Sequence, residues 1–341
     1  MKRILIVTDA WHPQVNGVVR CLDKVGDELE LLGHKVHYLT PQQFWTMPLP
    51  TYPEIRLSLA HLGHIEEMLD QVLPHHIHIA TEGPLGVLAR QVCLNRRIPF
   101  TSSFHTRFAE YVSARLPVPV EWSYAYLRWF HEAAVRTLAP TPSVVADLTS
   151  KGFAHVVPWT RGVDMSRFRP AAKTKFLNLP GPYMVCVGRV AVEKNVEAFL
   201  KLDVPGSKIV VGAGPQLVEL QARYPQAYFV GQQSGDELTA YYQSADVFVF
   251  PSKTDTFGNV MLEAMACGVP VAAYPVTGPI DVLFDPKAGR MHNDLSVAIG
   301  QALLLDRRDV INHATRFTWQ ECAQIFFENL APTNVDVSQA A

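Results

Sequence analysis

Short apolar runs alternate with segments of helical periodicity along almost the whole chain, the pattern of parallel strands covered by helices. Residues 4–8 read as a buried strand. Val18, Cys21, Leu22, Val25, Leu29 and Leu32 then recur at helical spacing, and Gly33 stands where the helix would end. Residues 36–39, 77–80 and 99–103 read as further strands, and 121–138 as an aromatic-rich helix. Across 169–182 the alternation lapses into Pro, Lys, Ala and Gly, which places a boundary there. A second alternation follows, with strands expected at 183–187, 208–211, 227–230, 247–250 and 269–273 and helices at 193–202, 215–223 and 235–244. No repeat of sequence relates the two halves. The expectation is an α/β chain of two doubly wound domains, 1–168 and 183–315, joined by a linker at 169–182. Residues 316–330 form a last amphipathic helix and 331–341 a frayed tail.

Composition narrows the function without choosing it. A length of 341 residues suits two domains that each bury a sizeable core. With 48% apolar and 18% charged residues the chain is ordinary for a globular protein, and a formal net charge of −2 argues against nucleic-acid binding. Cys21, Cys93, Cys186, Cys267 and Cys322 lie far apart, so reduced thiols in a cytoplasmic setting are expected rather than disulfides or a zinc site. The chain opens directly on a strand pattern, which leads to the expectation of no signal peptide. No apolar run reaches the roughly 18–20 residues of a spanning helix, so any membrane contact would be peripheral, at the inner face of the cytoplasmic membrane.

The most informative stretch runs from Pro251 to Pro270. A strand end leads into a loop, then into an Ala-rich helix stopped by Gly268 with Pro270 beyond. Asp255 and Glu263 lie eight residues apart, one in the loop and one in the helix. Phe257, Gly258, Asn259 and Val260 open that helix, where backbone N–H groups are available to an anion. Taken singly, each acid reads more readily as structural, Asp255 as a helix cap and Glu263 as a solvated helical residue.

Gly188-Arg189-Val190-Ala191-Val192-Glu193-Lys194-Asn195 follows another strand. Arg189 offers a planar fork and Lys194 a compact charge, a pair suited to one diphosphate. The plain alternative is a surface Arg beside an ordinary Glu193/Lys194 pair. Val211-Gly212-Ala213-Gly214 is half of a dinucleotide fingerprint, but Leu217 stands at its third glycine position and no acid follows the next strand. In the first half, Trp11-His12-Pro13-Gln14-Val15-Asn16-Gly17-Val18 follows the first strand, and Gly17 would let a backbone amide approach a ligand. A turn capped by Asn16 explains the same spacing. Ser103-Phe104-His105-Thr106-Arg107-Phe108 lies just past a strand, and a lone His105 there reads more readily as a satisfied structural residue than as a catalytic one.

These segments together resemble the retaining GT-B glycosyltransferases of family 4. The 251–270 stretch is similar to the family's E-x7-E segment with Asp at the first acid, and 188–195 to its G-R-x-x-x-E-K-[GN] element. Arg161-Gly162-Val163-Asp164 is similar to its x-G-V-D loop, and Ser103–Phe108 to its F-H-T element, with Arg107 where an acid is common. The resemblance implies two Rossmann-like domains facing an interdomain cleft. It implies a nucleotide-sugar donor whose diphosphate meets Arg189 and Lys194, with Asp255 on the sugar hydroxyls and Glu263 on the ribose. Gly17, Gly188, Gly214, Phe257, Gly258, Asn259 and Val260 would shape the donor pocket, and His105 would bond a sugar hydroxyl. It further implies retention of anomeric configuration by front-face attack. The absence of any Asp-x-Asp favours catalysis by cationic side chains, with no metal and no cofactor beyond the donor.

Within the family the motifs look most like GDP-mannose-dependent α-mannosyltransferases and sulfoquinovosyl- and glucosyl-lipid transferases. GDP-mannose is the expected donor, with a UDP-hexose second, and the expected acceptor is a glycan or a lipid-linked molecule. The aromatic stretch 116–130 reads either as an acceptor groove or membrane-surface patch, or as a buried helix. Three rivals remain: a nucleotide-sugar epimerase, a dinucleotide oxidoreductase, and a non-catalytic sugar-nucleotide-binding protein.

Overall fold

The computed structural model describes residues 1–14, 16–49, 52–113, 119–176 and 178–333. Val15 of the first motif, residues 116–118 of the aromatic stretch and 334–341 of the expected tail lie outside them. The chain divides into two compact units, one made of residues 1–160 with those from Trp319 onward, the other Arg161–Thr318.

In the first unit the elements run β1 (Arg3–Val7), α1 (Gly17–Leu31), β2 (Lys35–Leu39), β3 (Thr46–Leu49), β4 (Tyr52–Ser58), α2 (Leu62–Val72) and β5 (His76–Ile79). They continue with α3 (Pro84–Asn95), β6 (Thr101–Ser103), α4 (Phe108–Ser113), α5 (Val120–Glu132), β7 (Thr137–Ala139), α6 (Pro142–Ser150) and β8 (Val156–Pro158). Six strands form a parallel sheet in the order β2-β1-β5-β6-β7-β8, and β3 and β4 pair apart as an antiparallel hairpin. Ile4, Leu5, Ile6 and Val7 are fully buried because helices cover both sheet faces, which is why the strand reads as an unbroken apolar run. The expected helix 121–138 ends at Glu132, and only one of its faces is buried, through Tyr124, Leu127 and Phe130. Trp122, Tyr126 and Trp129 are 71%, 40% and 44% exposed. Among the described residues no helix is long and apolar enough to cross a membrane.

The second unit repeats the architecture: β9 (Tyr183–Val187), α7 (Val196–Leu200), β10 (Ser207–Val211), α8 (Leu217–Arg223), β11 (Tyr228–Gly231), α9 (Gly235–Ser244), β12 (Val247–Phe250) and α10 (Asn259–Ala266). After these come β13 (Val271–Ala273), α11 (Pro279–Val282), β14 (Gly289–Met291), α12 (Leu295–Ala302) and α13 (Arg307–Ala314). Its parallel sheet has the order β11-β10-β9-β12-β13-β14, so the direction of winding reverses between β9 and β12. A doubly wound sheet binds ligands outside the carboxyl ends of the strands at that reversal.

Two expectations are corrected. The boundary lies between Thr160 and Arg161, not at 169–182, because Val163 and Phe168 pack into the second unit's core and Val163 N–H bonds Phe317 O at 3.0 Å. The helix expected at 193–202 is broken: Asn195 adopts φ +51, separating a single 3-10 turn at Val192–Lys194 from α7.

The final helix, Trp319–Asn329, belongs to the first unit. Its buried Cys322, Ala323 and Phe326 join Leu22, Val25, Leu29 and Trp159 in one core cluster. Trp159 Nε1–H donates to Cys322 O at 3.0 Å, and Arg136 reaches Asn329 O at 3.2 Å.

Candidate functional site

The loops leaving β9 and β12 flank the reversal point of the second sheet, and side chains stitch them together. Asn195 Nδ2 donates to Pro251 O at 3.0 Å, and the hydroxyls of Ser252 and Thr254 both donate to Glu193 O at 3.2 Å. Lys194 Nζ donates to Asp255 Oδ1 in an ion pair whose side chains are 29% and 14% exposed. The two charges singled out from separate motifs therefore meet, and Arg189, half-buried, belongs to the same β9 loop.

Glu263 faces inward from α10 and is 6% exposed, so the solvated reading of this residue is excluded. Tyr242 Oη, from α9, donates to its Oε2 at 2.7 Å. The cap of α10 is Gly258 at φ +88, not Asp255. A Cβ there would lie 2.8 Å from both Met261 Cε and Phe250 Cζ, so a larger residue would have to push those side-chain ends aside and adopt the left-handed φ. Phe257 is buried in the core with its ring 6.2 Å from Phe317, so any contact it makes with a ligand is through its backbone. Asn259 and Val260 begin the helix half-buried.

The Gly-x-Gly of 212–214 has a packing cause. Gly188 N–H bonds Val211 O and Val190 N–H bonds Ala213 O, both at 3.0 Å, so the two loops run against each other. A Cβ on Gly212 would lie 1.8 Å from Gly188 O, and one on Gly214 would lie 2.4 Å from Val190 O. The glycines let the β10 loop support the β9 loop, which accounts for them without a dinucleotide. Gly212→Ala, at φ +152, is expected to destabilise the fold by about 2 kcal/mol or more. Gly300→Ala, whose Cβ would meet nothing within 4 Å, is the control, expected to be neutral or slightly stabilising. Equal melting temperatures for the two variants would refute the packing account.

In the first unit Asn16 caps α1, its Oδ1 accepting from Val18 N–H and Val19 N–H at 3.0 Å each. Gly17 is the first, exposed residue of that helix. His105 follows β6 half-buried, with Nε2 2.8 Å from Ser103 Oγ and its ring edge-on to Trp159 at 5.7 Å. Arg107 is held by Glu110 at 3.3 Å and Asp147 at 3.1 Å. Asp164 caps a turn, its Oδ1 accepting from Ser166 N–H at 3.0 Å and Arg167 N–H at 3.1 Å.

Two groups of buried polar residues carry no signal in the sequence reading. Asp9, just after β1, accepts from Leu85 N–H at 2.8 Å and Gly86 N–H at 3.3 Å, tying the first strand to the start of α3, and burial pushes its carboxyl up. His131 is buried on α5 and pairs with Glu82 at 3.1 Å beyond the end of β5. The five cysteines form no disulfide, and burial pushes the Cys186 and Cys267 thiols up to about 12, which leaves them unreactive at neutral pH.

Two family models match this architecture, Glycosyltransferase Family 4 over residues 15–167 and Glycosyl transferases group 1 over 181–304. A GDP-mannose-dependent alpha-mannosyltransferase of Mycolicibacterium smegmatis is 32% identical over 314 residues, covering 84% of this chain and 83% of its own. The chain belongs to glycosyltransferase family 4. An alpha-monoglucosyldiacylglycerol synthase of Streptococcus pneumoniae is 26% identical, covering 89% of this family 4 chain and 78% of its own. The solved sucrose-phosphate synthase of Thermosynechococcus elongatus superposes with a TM-score of 0.77 at 21% identity, covering 96% of this chain and 98% of its own. The fold is GT-B, and the enzyme is a glycosyltransferase.

Proposed function

We propose that this glycosyltransferase moves mannose from GDP-mannose to a glycan or lipid-linked acceptor, retaining anomeric configuration and using no metal ion or further cofactor. The observation that carries the reading is the meeting of Lys194 and Asp255 at the reversal point of the second sheet, with Arg189 on the same loop. The donor choice is supported by likeness to the mycobacterial mannosyltransferase. Likeness to the streptococcal synthase supports a second reading, glucosyl transfer to a glycolipid acceptor from a UDP-hexose.

In this reading the donor diphosphate draws Lys194 from Asp255 and joins it to Arg189, and Asp255 turns to the sugar hydroxyls. Glu263, aligned by Tyr242, takes the ribose. Gly188, Gly214 and the backbone of Phe257–Val260 line the pocket, and Gly17 gives a close approach in the first unit. The anomeric C–O bond breaks with its electron pair going to the leaving phosphate, and the fixed cations stabilise that growing charge. The acceptor oxygen bonds the same face of the carbon, and its proton goes to the leaving phosphate. His105 bonds a hydroxyl of the transferred sugar.

Transfer assays with GDP-mannose and with UDP-glucose, against glycan and diacylglycerol acceptors, test the reading, with proton NMR of the product reporting anomeric configuration. GDP-mannose is expected to be the better donor, the product to keep the α configuration, and EDTA to leave the rate unchanged. Abolition of turnover by EDTA would overturn the metal-free mechanism, and an inverted product the front-face attack. Nicotinamide fluorescence is expected to show no binding.

A further inference from the structure

The geometry points to an acceptor site in the first unit shaped for an uncharged lipid alcohol: an apolar pocket at the carboxyl edge of the sheet, with Glu82 as its charged wall. The pocket holds about 460 Å³, within the range of small-molecule sites. It opens where the chain leaves β5, and Glu82 and Pro84 form one side of it. Val87 and Leu88 of α3, Ala60 beyond β4 and Tyr126 of α5 form the rest. β5 pairs with β6, which His105 follows, so the pocket and His105 lie beyond the ends of neighbouring strands. That is the edge at which doubly wound sheets take their ligands.

The lining selects the ligand. Ala60, Pro84, Val87, Leu88 and Tyr126 make it apolar, and among the described residues that line it Glu82 alone carries a charge. That carboxylate is held in place. Its Oε1 is 3.1 Å from His131 Nε2, His131 Nδ1 is 2.8 Å from Ser102 Oγ on β6, and Tyr126 Oη donates to the Glu82 carbonyl. A phosphate or carboxylate entering the pocket would meet no cationic side chain in the lining and would face a like charge, an arrangement that rejects anions. A hydroxyl, by contrast, has a hydrogen to donate to Glu82. Ser58 lines the same pocket, buried, and its hydroxyl has no hydrogen-bond partner among the described residues, so a ligand oxygen is one it can turn to meet. Apolar surface also continues outside the pocket. Trp122, Tyr126 and Trp129 are exposed at helical spacing on one face of α5, with the rings of Tyr126 and Trp129 5.7 Å apart, and Leu59 is exposed beside Ala60. A body longer than the pocket therefore has an apolar path out of it, which suits an acyl-chain alcohol. That this alcohol is the acceptor rests on the proposed function; its binding does not.

The test compares two ligands that differ only in charge, dioctanoylglycerol and its phosphate. Both are titrated by calorimetry into the full chain without donor, below the concentration at which either self-associates. The neutral alcohol is expected to bind about tenfold tighter or more, since the phosphate is set against a like charge. Val87→Trp, which fills the pocket from α3, is expected to weaken alcohol binding about tenfold or more, with a melting curve reporting that the protein is folded. If that variant does not fold, Ala60→Phe fills the pocket from the other side and is expected to do the same. Glu82→Lys gives the wall a cation and is expected to reverse the preference in favour of the phosphate. Equal or tighter binding of the phosphate by the parent, no binding of the alcohol, a filled pocket that binds it as before, or a Lys variant with the parent's preference would overturn the inference. Tight binding of the alcohol by a chain that transfers no sugar would instead sink the proposed function and leave the site standing. Transfer to a glycan or a phosphate-bearing lipid, with no binding of the alcohol, would do the reverse.

Discussion

Lys194→Ala is expected to lower kcat by about 10²–10³-fold, the usual cost of removing one preorganised group from developing transition-state charge. Its loop is fixed before any donor arrives, bonded to the next loop through Asn195, Ser252 and Thr254, and the exchange of Asp255 for the diphosphate is complete once the donor is bound. With Lys194 already on the bound diphosphate, no further reorganisation is needed when the leaving phosphate gains charge, so the benefit falls mainly on turnover. Arg189→Ala is expected to follow the same pattern. Nucleoside diphosphate affinity, measured by calorimetry, is expected to drop by about tenfold or less, because the ground state spreads its charge over water as well as protein. If affinity and kcat/KM fell by equal factors, the two cations would serve binding only. Asp255→Asn beside Lys194→Ala closes a double-mutant cycle, and a coupling indistinguishable from zero would mean the observed pair is incidental to the site.

Phe326→Ala is expected to cost about 3–5 kcal/mol, the range for deleting a buried aromatic ring, and to lower the first melting transition on the order of 10 °C. Phe326 is fully buried and its ring lies 5.0 Å from Trp159 and 4.7 Å from His78. The ring is thus part of the wall behind His105, and transfer should weaken even in protein that remains folded. Leu304→Ala, 85% exposed in the other unit, is the reference and should leave melting within about 0.5 kcal/mol of the parent. Calorimetry showing the same curve for both variants would mean the final helix does not stabilise the first unit.

The strands at 183–187 and 247–250 were legible because burial on both faces leaves unbroken apolar runs. The nearness of Lys194 and Asp255 was legible through the chemistry of their loops, since both follow strands that a doubly wound order places side by side. The boundary was not legible: Val163 and Phe168 sit in loop-like sequence, and only tertiary contact assigns them to the second core. Asn195 broke a helix whose composition gave no warning, because its side chain is committed to Pro251 in another loop. Asp9 reaching Leu85 and His131 reaching Glu82 bridge distances in sequence that no periodicity records. The antiparallel pair of strands Thr46–Leu49 and Tyr52–Ser58 lies outside the main sheet and follows neither alternation.

Because the helix Trp319–Asn329 completes the unit that begins at the chain's start, synthesis and folding run out of step. The middle unit, contiguous from Arg161 to Thr318, can close while translation continues. The earlier-made portion leaves the ribosome with Leu22, Val25 and Trp159 lacking the partners they have in the finished protein. A stop codon shortly before Trp319 would therefore harm the oldest part of the polypeptide rather than the newest.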